Sequence, residues 1–513
     1  MKKISALVLF IAVSTTAVFA QTPDWSTSVA SIIYNNCSTC HHEGAIAPFS
    51  LMSYADAVDN GTLIQADVVA KKMPPWPADP TYNHLRNERV LSDNEISTIN
   101  DWVNGGMPEG DESLAPPAPV FLAGTEMPVI DDTINIGTYM LLGDTDNYRA
   151  YVIHSDYSEP KFINQFELIA GAPQVVHHVF FLHDSTDKSW IKDSNTPEDG
   201  YWGSQMSFGP ASVVWGGWVP GGGVTVLPPN MGFRIPDTAD YCVAIHYGPG
   251  GNGLTDSSKL HVKFCDTPNP RQVYNERWLW WYDSSLINPP FKILANEYKT
   301  FYEQSPIFTK DMSLISVQPH MHLIGQSFKV FMVSESGDTT NLVYVDRWDF
   351  DWQINYFLTK IIKIPMTSRI YGTGVYDNTS NNPNNPSNPP KNVVAGQGTE
   401  DEMMSCRFAY TNYQSGDEDI ILDSAFYLNA NNIIDFTLMP VQVYPNPANQ
   451  MFAFVTELTE HNVSWTLTDY LGRVVKSKEE KNIPNGIYYQ KVDITNFPSG
   501  TYLLNIYSGN QKT

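Results

Sequence analysis

Two cysteines and a histidine near the N-terminus have the spacing of a covalent haem site. Cys37, Cys40 and His41 form a Cys-x-x-Cys-His motif. Two thiols at this spacing can add to the two vinyl groups of haem, and the adjacent histidine can then bind the iron. No second cysteine pair follows in the sequence to complete a zinc site, so we expect one covalently bound haem c. His42 is expected to be a bystander.

The sequence around this motif predicts a small all-α domain over residues 21–112. Ser92 and Glu95 have the spacing of a capping box, and apolar residues then recur at helical intervals. Gly105 and the following glycine are expected to end that helix. A proline-rich linker is predicted over residues 113–124.

Residues 21–112 resemble a small class I cytochrome c domain. In that family the second axial ligand of the iron is usually a methionine that precedes the C-terminal helix. Met73 fits that order, so the resemblance implies that Met73 completes the haem site. Met52 and Met107 remain alternatives at this stage.

Five of the 12 histidines fall in three short motifs farther along the chain. His320 and His322 are two residues apart, so on a strand they share a face and can hold one metal ion. His177 and His178 are adjacent and would normally face opposite sides, so they can share a metal only at a twisted strand end. His246 lies in a third apolar run. Imidazole suits copper, zinc, iron and nickel, so ligand type alone does not choose the metal.

The histidine motifs lie in sequence that predicts β-sandwiches. Short alternating strands are broken by Gly, Pro and Asn turns, without intervening helical patterns. Examples of these strands are residues 174–182, 241–247, 316–333 and 408–412. The stretch is long enough for two domains, which we place at residues 125–272 and 273–437.

Four motifs occur here in the order found in one enzyme family. They are His177-His178, His246-Tyr247, His320-Met321-His322 and Asp401-Glu402-Met403. On these motifs, residues 125–437 resemble the copper type II, ascorbate-dependent monooxygenases, such as peptidylglycine α-hydroxylating and dopamine β-monooxygenase. The resemblance implies two jelly-roll-like β-sandwich domains that face each other across a wet cleft, each with one of two copper ions.

The resemblance also implies a role for each donor. His177, His178 and His246 would hold the electron-transfer copper. The oxygen-activating copper would be held by His320, His322 and Met403. A thioether ligand favours Cu(I), the state that meets O₂. These three residues are therefore the predicted catalytic set.

The implied reaction hydroxylates a C–H bond with O₂ and two electrons, giving an alcohol and water. The external donor would be ascorbate or a redox protein, and the fused c-type haem would deliver electrons to the copper ions. Gln318, Ser405 and Arg407 replace residues of the peptide-processing members, so the substrate, small-molecule or peptide-like, is not identified. Two alternatives stay open: a non-catalytic haem and copper electron-transfer protein at the cell surface, and a haem-bearing binding module without copper.

Composition and the N-terminus place the protein outside the cytoplasm. Lys2 and Lys3 precede an apolar run that ends at Ala20, which predicts a signal peptide over residues 1–20. Lys and Arg number 31 against 55 Asp and Glu, and the net charge of −24 argues against nucleic acid or an anionic membrane as partner. No later run of 18 apolar residues occurs, so no stable membrane insertion is expected.

The C-terminal region predicts an Ig-like β-sandwich over residues 441–513. Its motifs at 443–448, 469–475 and 499–502 resemble the type IX secretion sorting domain. The resemblance implies recognition by the type IX export machinery of a Gram-negative bacterium. The protein would cross the periplasm and end at the cell surface or in the medium.

Three cysteines lie outside the haem motif, and two of them could form a disulfide. If Tyr247 and Lys259 paired across a glycine-rich hairpin, Cys242 would lie opposite residue 264, one position before Cys265. A β-bulge could absorb that difference. We therefore predict a disulfide between Cys242 and Cys265, with Cys406 left over.

Overall fold

The computed structural model describes most of the mature chain. The described residues are 22–121, 125–282, 284–422, and 441–512 without 445–447, 449, 459–460, 470–473, 482, 484–485, 496, 499, 501 and 509–510. The predicted signal peptide, residues 122–124 of the predicted linker and residues 423–437 lie outside them. The chain divides into two compact units, Met1–Tyr427 and Leu428–Thr513.

Helices concentrate at the start of the first unit. They are α1 (Ala30–Asn36), α2 (Tyr54–Asp59), α3 (Gly61–Val69), α4 (Asp93–Asn104) and, among the strands, α5 (Asp187–Ser194), with a π-helical turn at Trp25–Val29 and 3₁₀ turns at Glu112–Leu114, Gln205–Ser207 and Asp417–Asp419. The capping box predicted for α4 is present, because Ser92 and Glu95 bond each other's backbone N–H, and Gly105 ends the helix. Trp25, Ile33, Ile99 and Trp102 form the centre of the helical core.

The rest of the first unit is β-structure, which confirms the mainly β prediction. Its strands are β1 (Asp132–Asn135), β2 (Tyr139–Met140), β3 (Asn147–Ile153), β4 (Lys161–Ile169), β5 (Val176–Asp184), β6 (Tyr201–Trp202), β7 (Val213–Trp218), β8 (Thr225–Val226), β9 (Met231–Ile235), β10 (Asp240–Tyr247), β11 (Thr255–Asp256), β12 (Lys259–Phe264), β13 (Arg271–Trp280), β14 (Lys292–Ile293), β15 (Tyr298–Gln304), β16 (Met312–His320), β17 (Gly325–Val333), β18 (Thr339–Val345), β19 (Tyr356–Ile364), β20 (Arg369–Asp377), β21 (Val393–Val394) and β22 (Ser405–Asn412).

One long sheet runs through both predicted copper domains. Its strand order is β1-β12-β4-β9-β13-β22-β16-β19, with β8 beside β4. The parallel pairing of β9 with β13 joins the two halves, and the predicted boundary at residues 272/273 falls inside β13. A five-stranded sheet, β6-β3-β10-β5-β7, belongs to the first half, and a four-stranded sheet, β15-β20-β17-β18, belongs to the second.

The predicted disulfide between Cys242 and Cys265 is wrong. β10, which carries Cys242, pairs with β3 and β5, whereas β12, which precedes Cys265, pairs with β1 and β4. The two strands therefore lie in different sheets and do not form a hairpin. Both thiols are free, and that of Cys265 contacts the backbone oxygen of Met231 at 3.2 Å.

Residues 76–86 form a crossing segment that leaves the helical region and packs on the β-sheets. Trp76, Ala78 and Leu85 are buried in the large β core. Ala78 makes a β-bridge to Val345, and Leu85 makes one to Leu358. The crossing segment, which the sequence analysis assigned to the haem domain, thus contributes to the core of the copper-domain region.

The crossing segment touches both halves of that region. The backbone N–H of Arg86 donates to the carbonyl of Phe357 at 2.8 Å, and its guanidinium lies 4.0 Å from the centre of the Phe357 ring. The same guanidinium donates to the carbonyl of Val226, in the first half, at 3.2 Å. The helical region is therefore held against both halves rather than by the linker alone.

The second unit is a pair of antiparallel sheets. Its strands are β23 (Val441–Tyr444), β24 (Met451–Leu458), β25 (Asn462–Asp469), β26 (Val474–Lys481), β27 (Gly486–Asp493), β28 (Tyr502–Ser508) and β29 (Gln511–Lys512). The sheet orders are β23-β24-β27 and β26-β25-β28-β29. Phe454, Trp465 and Ile506 lie at the centre of its core. No helix within the described part of the chain has the length and apolarity needed to cross a membrane.

Candidate metal centres

Three histidines of the first half converge at the end of the five-stranded sheet. His178 lies opposite His246 in the β5–β10 register, and Tyr247 lies opposite Val176. His177 is therefore the extra residue of a β-bulge, which turns its side chain away from strict alternation. The adjacent pair can thus face one point, and the structure brings His177, His178 and His246 together.

The nitrogen positions of this three-histidine cluster suit a shared cation. The Nδ1 atom of His178 lies 3.2 Å from Nδ1 of His177 and 3.4 Å from Nδ1 of His246. Imidazole nitrogens that bind one ion at about 2.0–2.1 Å lie about 3.3–3.6 Å from one another. The cluster therefore has the spacing of a metal site with three nitrogen ligands.

Two carboxylates orient the outer nitrogens of the cluster. Asp146 Oδ1 lies 2.7 Å from Nε2 of His246, and Asp351 Oδ1 lies 3.4 Å from Nε2 of His177. A carboxylate that accepts the Nε2–H proton fixes the tautomer and leaves Nδ1 free to bind a metal. Asp351 belongs to the second half of the region, so both halves contribute to this site.

Two imidazoles of the cluster, those of His178 and His246, have lowered pKa values. Burial, together with neighbouring His246 and His177, lowers the pKa of His178 well below its ordinary value. Burial also lowers the pKa of His246, although the bond to Asp146 opposes that shift. Neutral imidazoles are the form that binds metal ions, so the lowered pKa values favour metal binding by these two histidines.

His320 ends β16 in the second half, and His322 lies just beyond it, because the strand predicted over residues 316–333 is in fact two strands, β16 and β17. Their ring centres are 5.1 Å apart. Nδ1 of His320 lies 2.7 Å from Oε1 of Gln353, and Nδ1 of His322 lies 3.0 Å from the carbonyl oxygen of Asp401. Both Nδ1 atoms therefore carry the proton, and both Nε2 atoms are left free as ligands. Burial lowers the pKa of His320 to about 3.

Met403 is held next to this pair by the carboxylate of Glu402. One oxygen, Oε2, accepts from the backbone N–H of His322 at 2.8 Å and from that of Met403 at 3.0 Å. The other oxygen accepts from Ile324 at 2.9 Å. The hydroxyl of Tyr376 donates to the carbonyl of Met403 at 2.8 Å. His322 and Met403 are thus fixed relative to each other, and both side chains are buried.

One cleft, with a volume of about 120 Å³, is lined by residues of both donor sets. His178 lies on its wall, as do His320 and Met403. Aromatic residues, including Trp218 and Trp352, line the space as well. The cleft therefore borders His178 of the first donor set and His320 and Met403 of the second.

The loop between β18 and β19 reaches both donor sets. Besides Asp351 and Gln353, its Trp348 donates from Nε1 to the carbonyl oxygen of His322 at 3.0 Å. The ring of Phe350 lies 5.9 Å from that of His322 in an edge-on arrangement. This stretch, residues 348–353, is called the bridging loop below.

The residues of the haem motif fit a covalently attached haem at the proximal side. Nδ1 of His41 lies 3.0 Å from the carbonyl oxygen of Phe49, which directs Nε2 outward as a free ligand. Cys37 and Cys40 are both free thiols. His42 bonds the carbonyl of Ser38 and stacks on Phe121 at 3.9 Å, in keeping with the expected bystander role.

The three methionines considered for the sixth haem ligand differ in their surroundings. Met73 lines a cavity of about 230 Å³ together with Leu91 and Arg89. The sulfur of Met107 instead packs against Gly61, where an added Cβ would lie only 2.4 Å away. The backbone carbonyl oxygen of Met52 accepts a hydrogen bond from the hydroxyl of Tyr34. Neither His41 nor the two cysteines line the Met73 cavity, so Met73 as sixth ligand stays a prediction.

The residues that hold the metal-binding side chains in place were not predicted from the sequence. Asp146, Asp351 and Gln353 orient imidazoles but lie far from them in sequence, outside any motif. Glu402 lies within the Asp-Glu-Met motif, yet only the structure assigns it a role. Glu402 directly follows Glu400 and Asp401, so nothing in the sequence marks it as the buried carboxylate.

Comparison with known proteins identifies the C-terminal region. Residues 442–513 match the family described as the secretion system C-terminal sorting domain. The protein is therefore exported through the type IX machinery, to the cell surface or into the medium. No curated protein matches the chain in a sequence search.

Solved structures resemble the chain only weakly. PNGase F, a glycosylasparaginase from Flavobacterium meningosepticum, matches with a TM-score of 0.23 and 9% identity, over 55% of this chain and 97% of that one. A β-glucuronidase from Ruminococcus gnavus matches with a TM-score of 0.12 and 11% identity, over 47% of this chain and 43% of that one. Scores this low carry no argument about fold or activity.

Proposed function

We propose that the protein is an exported copper- and O₂-dependent monooxygenase that hydroxylates a C–H bond, with its c-type haem as electron donor. The observation that carries the proposal is the presence of two different donor sets on one cleft. The three-histidine cluster offers only imidazole nitrogens. The other set combines His320, His322 and Met403, and Met403 adds a thioether.

The thioether of Met403 supports copper rather than zinc. Three histidines alone suit a zinc ion as well as a copper ion, so the three-histidine cluster does not distinguish the two metals. Thioether sulfur selects Cu(I) among the common metals, and imidazole serves copper in both oxidation states. Bound copper would supply one-electron chemistry and O₂ activation.

The chain's own residues would position the ligands and shape the reaction space. Gln353 and the carbonyl oxygen of Asp401 hold the two imidazoles of the second set with Nε2 outward. Glu402 keeps Met403 and His322 in register.

The position of the haem motif supports its role as donor. A Cβ built on Gly221 would lie 3.0 Å from the sulfur of Cys40. Gly221 follows β7, which pairs with β5, the strand of His178. The neighbouring glycines, Gly222 and Gly223, line the cleft itself. The haem-binding residues and the cleft thus share one wall.

The proposal is tested by O₂ consumption of reduced, copper-loaded protein. Candidate substrates are screened, and products are examined by mass spectrometry for the addition of one oxygen atom. Substrate-dependent O₂ uptake that is lost in His246→Ala and in Met403→Ile is expected. Reversible oxidation and reduction of bound copper, without substrate-dependent O₂ uptake, would instead indicate a non-catalytic electron-transfer protein.

A further inference from the structure

The cleft has a charge opposite to that of the protein as a whole. The chain carries a net charge of −24, yet the described residues that line the cleft include Arg86, Arg89, Arg277 and Arg407 and no aspartate or glutamate. A low-dielectric cleft lined by one sign of charge concentrates ligands of the other sign. The four arginines therefore make the cleft suitable for binding an anion.

Two of these arginines lie directly opposite each other. Arg277 on β13 pairs in register with Arg407 on β22. Like charges at directly opposed positions of a sheet are destabilising. Burial, and after it the charge of Arg407, lowers the pKa of Arg277 to about 8. A pair of this kind needs a compensating negative charge.

No described carboxylate supplies that charge. The guanidinium of Arg277 lies 3.6 Å from the centre of the Trp280 ring, and that of Arg407 donates to the carbonyl oxygen of Asn275 at 3.4 Å. Among the described residues, neither arginine forms an ion pair. Both side chains are partly buried and line the cleft, so their unused N–H groups are available to a ligand there.

Neutral donors complete the same surface. Gln318 lies opposite Arg407 on the next strand, and Ser405 is two residues before it. Both line the cleft together with His320 and Met403. Planar guanidinium forks match the paired oxygens of a carboxylate, sulfate or phosphate group.

We propose that Arg277 and Arg407 form an oxyanion-binding site that holds a negatively charged substrate beside the His320 and Met403 donor set. The binding of the anion stands on the arginine pair alone. Its role in substrate selection rests on the proposed monooxygenase function. The substrate class is then a molecule with a carboxylate, sulfate or phosphate group whose C–H bond reaches the second donor set.

The anion site can be tested without any metal. Metal-free, full-length protein is titrated at low ionic strength with sulfate, inorganic phosphate and benzoate, and binding is measured by calorimetry. Benzamide serves as the neutral match for benzoate, and Arg234→Gln as the matched arginine variant outside the cleft. We expect the anions to bind, benzamide not to bind, and Arg277→Gln and Arg407→Gln to lose affinity by about ten-fold or more. Arg234→Gln should bind like the wild type.

Thermal unfolding of the same variants separates binding from folding defects. Without added anion, Arg407→Gln should unfold at the same temperature as the wild type or higher, because one of two opposed charges is gone. Sulfate should raise the unfolding temperature of the wild type more than that of this variant. Equal stabilisation of both proteins by sulfate, or equal binding of benzoate and benzamide, would overturn the proposal.

Copper-loaded protein distinguishes this inference from the proposed function. Anionic substrates and their neutral amides are compared in O₂ uptake. Faster O₂ uptake with the anionic substrate than with its amide, and loss of this difference in Arg407→Gln, would support both the anion site and the monooxygenase. If the protein binds anions but no copper, the anion site stands and the monooxygenase is refuted. If the anionic substrate and its neutral amide are turned over equally, the arginine pair is refuted as a substrate site. The strongest of the three probe anions identifies the group that the substrate carries.

Discussion

The carboxylate of Asp351 lies 3.4 Å from Nε2 of His177, although the two residues belong to different halves of the β-region. The same bridging loop places Gln353 at 2.7 Å from His320. One loop therefore orients an imidazole in each donor set. Movement of this loop would disturb both sites at once.

Loss of the Asp351 carboxylate should weaken the three-histidine cluster. We expect Asp351→Ala to lower the Cu(I) affinity of that cluster about 10-fold to 100-fold, the usual effect of removing a carboxylate behind a histidine ligand. Asp351→Asn should restore part of the affinity, because an amide oxygen still accepts the Nε2–H proton. Competition with a Cu(I) chelator measures both. Asp144→Ala, an exposed neighbour of the cluster's other carboxylate, is the control, and an equal loss there would contradict the assigned role.

Met403 should be needed for turnover but not for the three-histidine cluster. Met403→Ile removes the thioether and is expected to abolish product formation while that cluster keeps its copper. Met404→Leu is the matched control, because Met404 is fully buried and packs near Gly374 instead. Copper content and product yield are measured for both variants. Full activity of Met403→Ile would show that this residue is not a ligand of the reactive site.

The haem ligand is expected to be Met73. Met73→Leu should remove the absorption features of a methionine–iron bond and shift the haem potential, with the haem still attached through Cys37 and Cys40. Met107→Leu should leave the haem spectrum unchanged, since the Met107 sulfur packs against Gly61. Spectra of the oxidised proteins decide the matter. The reverse pattern would assign the ligand to Met107.

Glu303 should make the protein less stable as the pH rises. Its carboxyl is fully buried and neither oxygen has a described hydrogen-bond partner, and burial raises its pKa well above the ordinary value. Above the unfolded-state pKa of about 4.3, the unfolded chain releases a proton that the folded chain keeps, so stability falls by about 1.4 kcal/mol per pH unit until the folded pKa is reached.

Glu303→Gln should remove this contribution. The variant should be more stable than the wild type near pH 7 and the difference should shrink toward pH 4. Denaturant unfolding of both proteins between pH 4 and 8 measures it. A difference that stays constant with pH would mean that Glu303 does not titrate in this range.

Local sequence patterns predicted individual helices and strands better than the pairing of strands into sheets. The capping box of α4 and the strand that carries His246 follow from side-chain chemistry within a few residues, and the structure has them. The strand predicted over residues 316–333 is instead two strands, β16 and β17, and His322 lies between them. The bulge at His177 does not follow, because a register shift depends on the partner strand. The predicted disulfide failed for the same reason: successive strands such as β10 and β12 entered different sheets.

Contacts between segments far apart in the sequence could not be predicted either. The crossing segment is polar and proline-rich enough to suggest a loop, yet Trp76 and Leu85 are buried in the β core. Asp351 and Arg277 are ordinary charged residues in the sequence. Their roles arise only when the fold sets one beside His177 and the other opposite Arg407.

The central claim is that this chain holds copper in two different donor sets beside one covalent haem. The most direct measurement is the metal content of the exported protein after copper loading under reducing conditions. We predict one iron and two copper atoms per chain, with one copper lost in His246→Ala and the other lost or weakened in Met403→Ile. Zinc bound in place of copper, or copper content unaffected by both substitutions, would contradict the account.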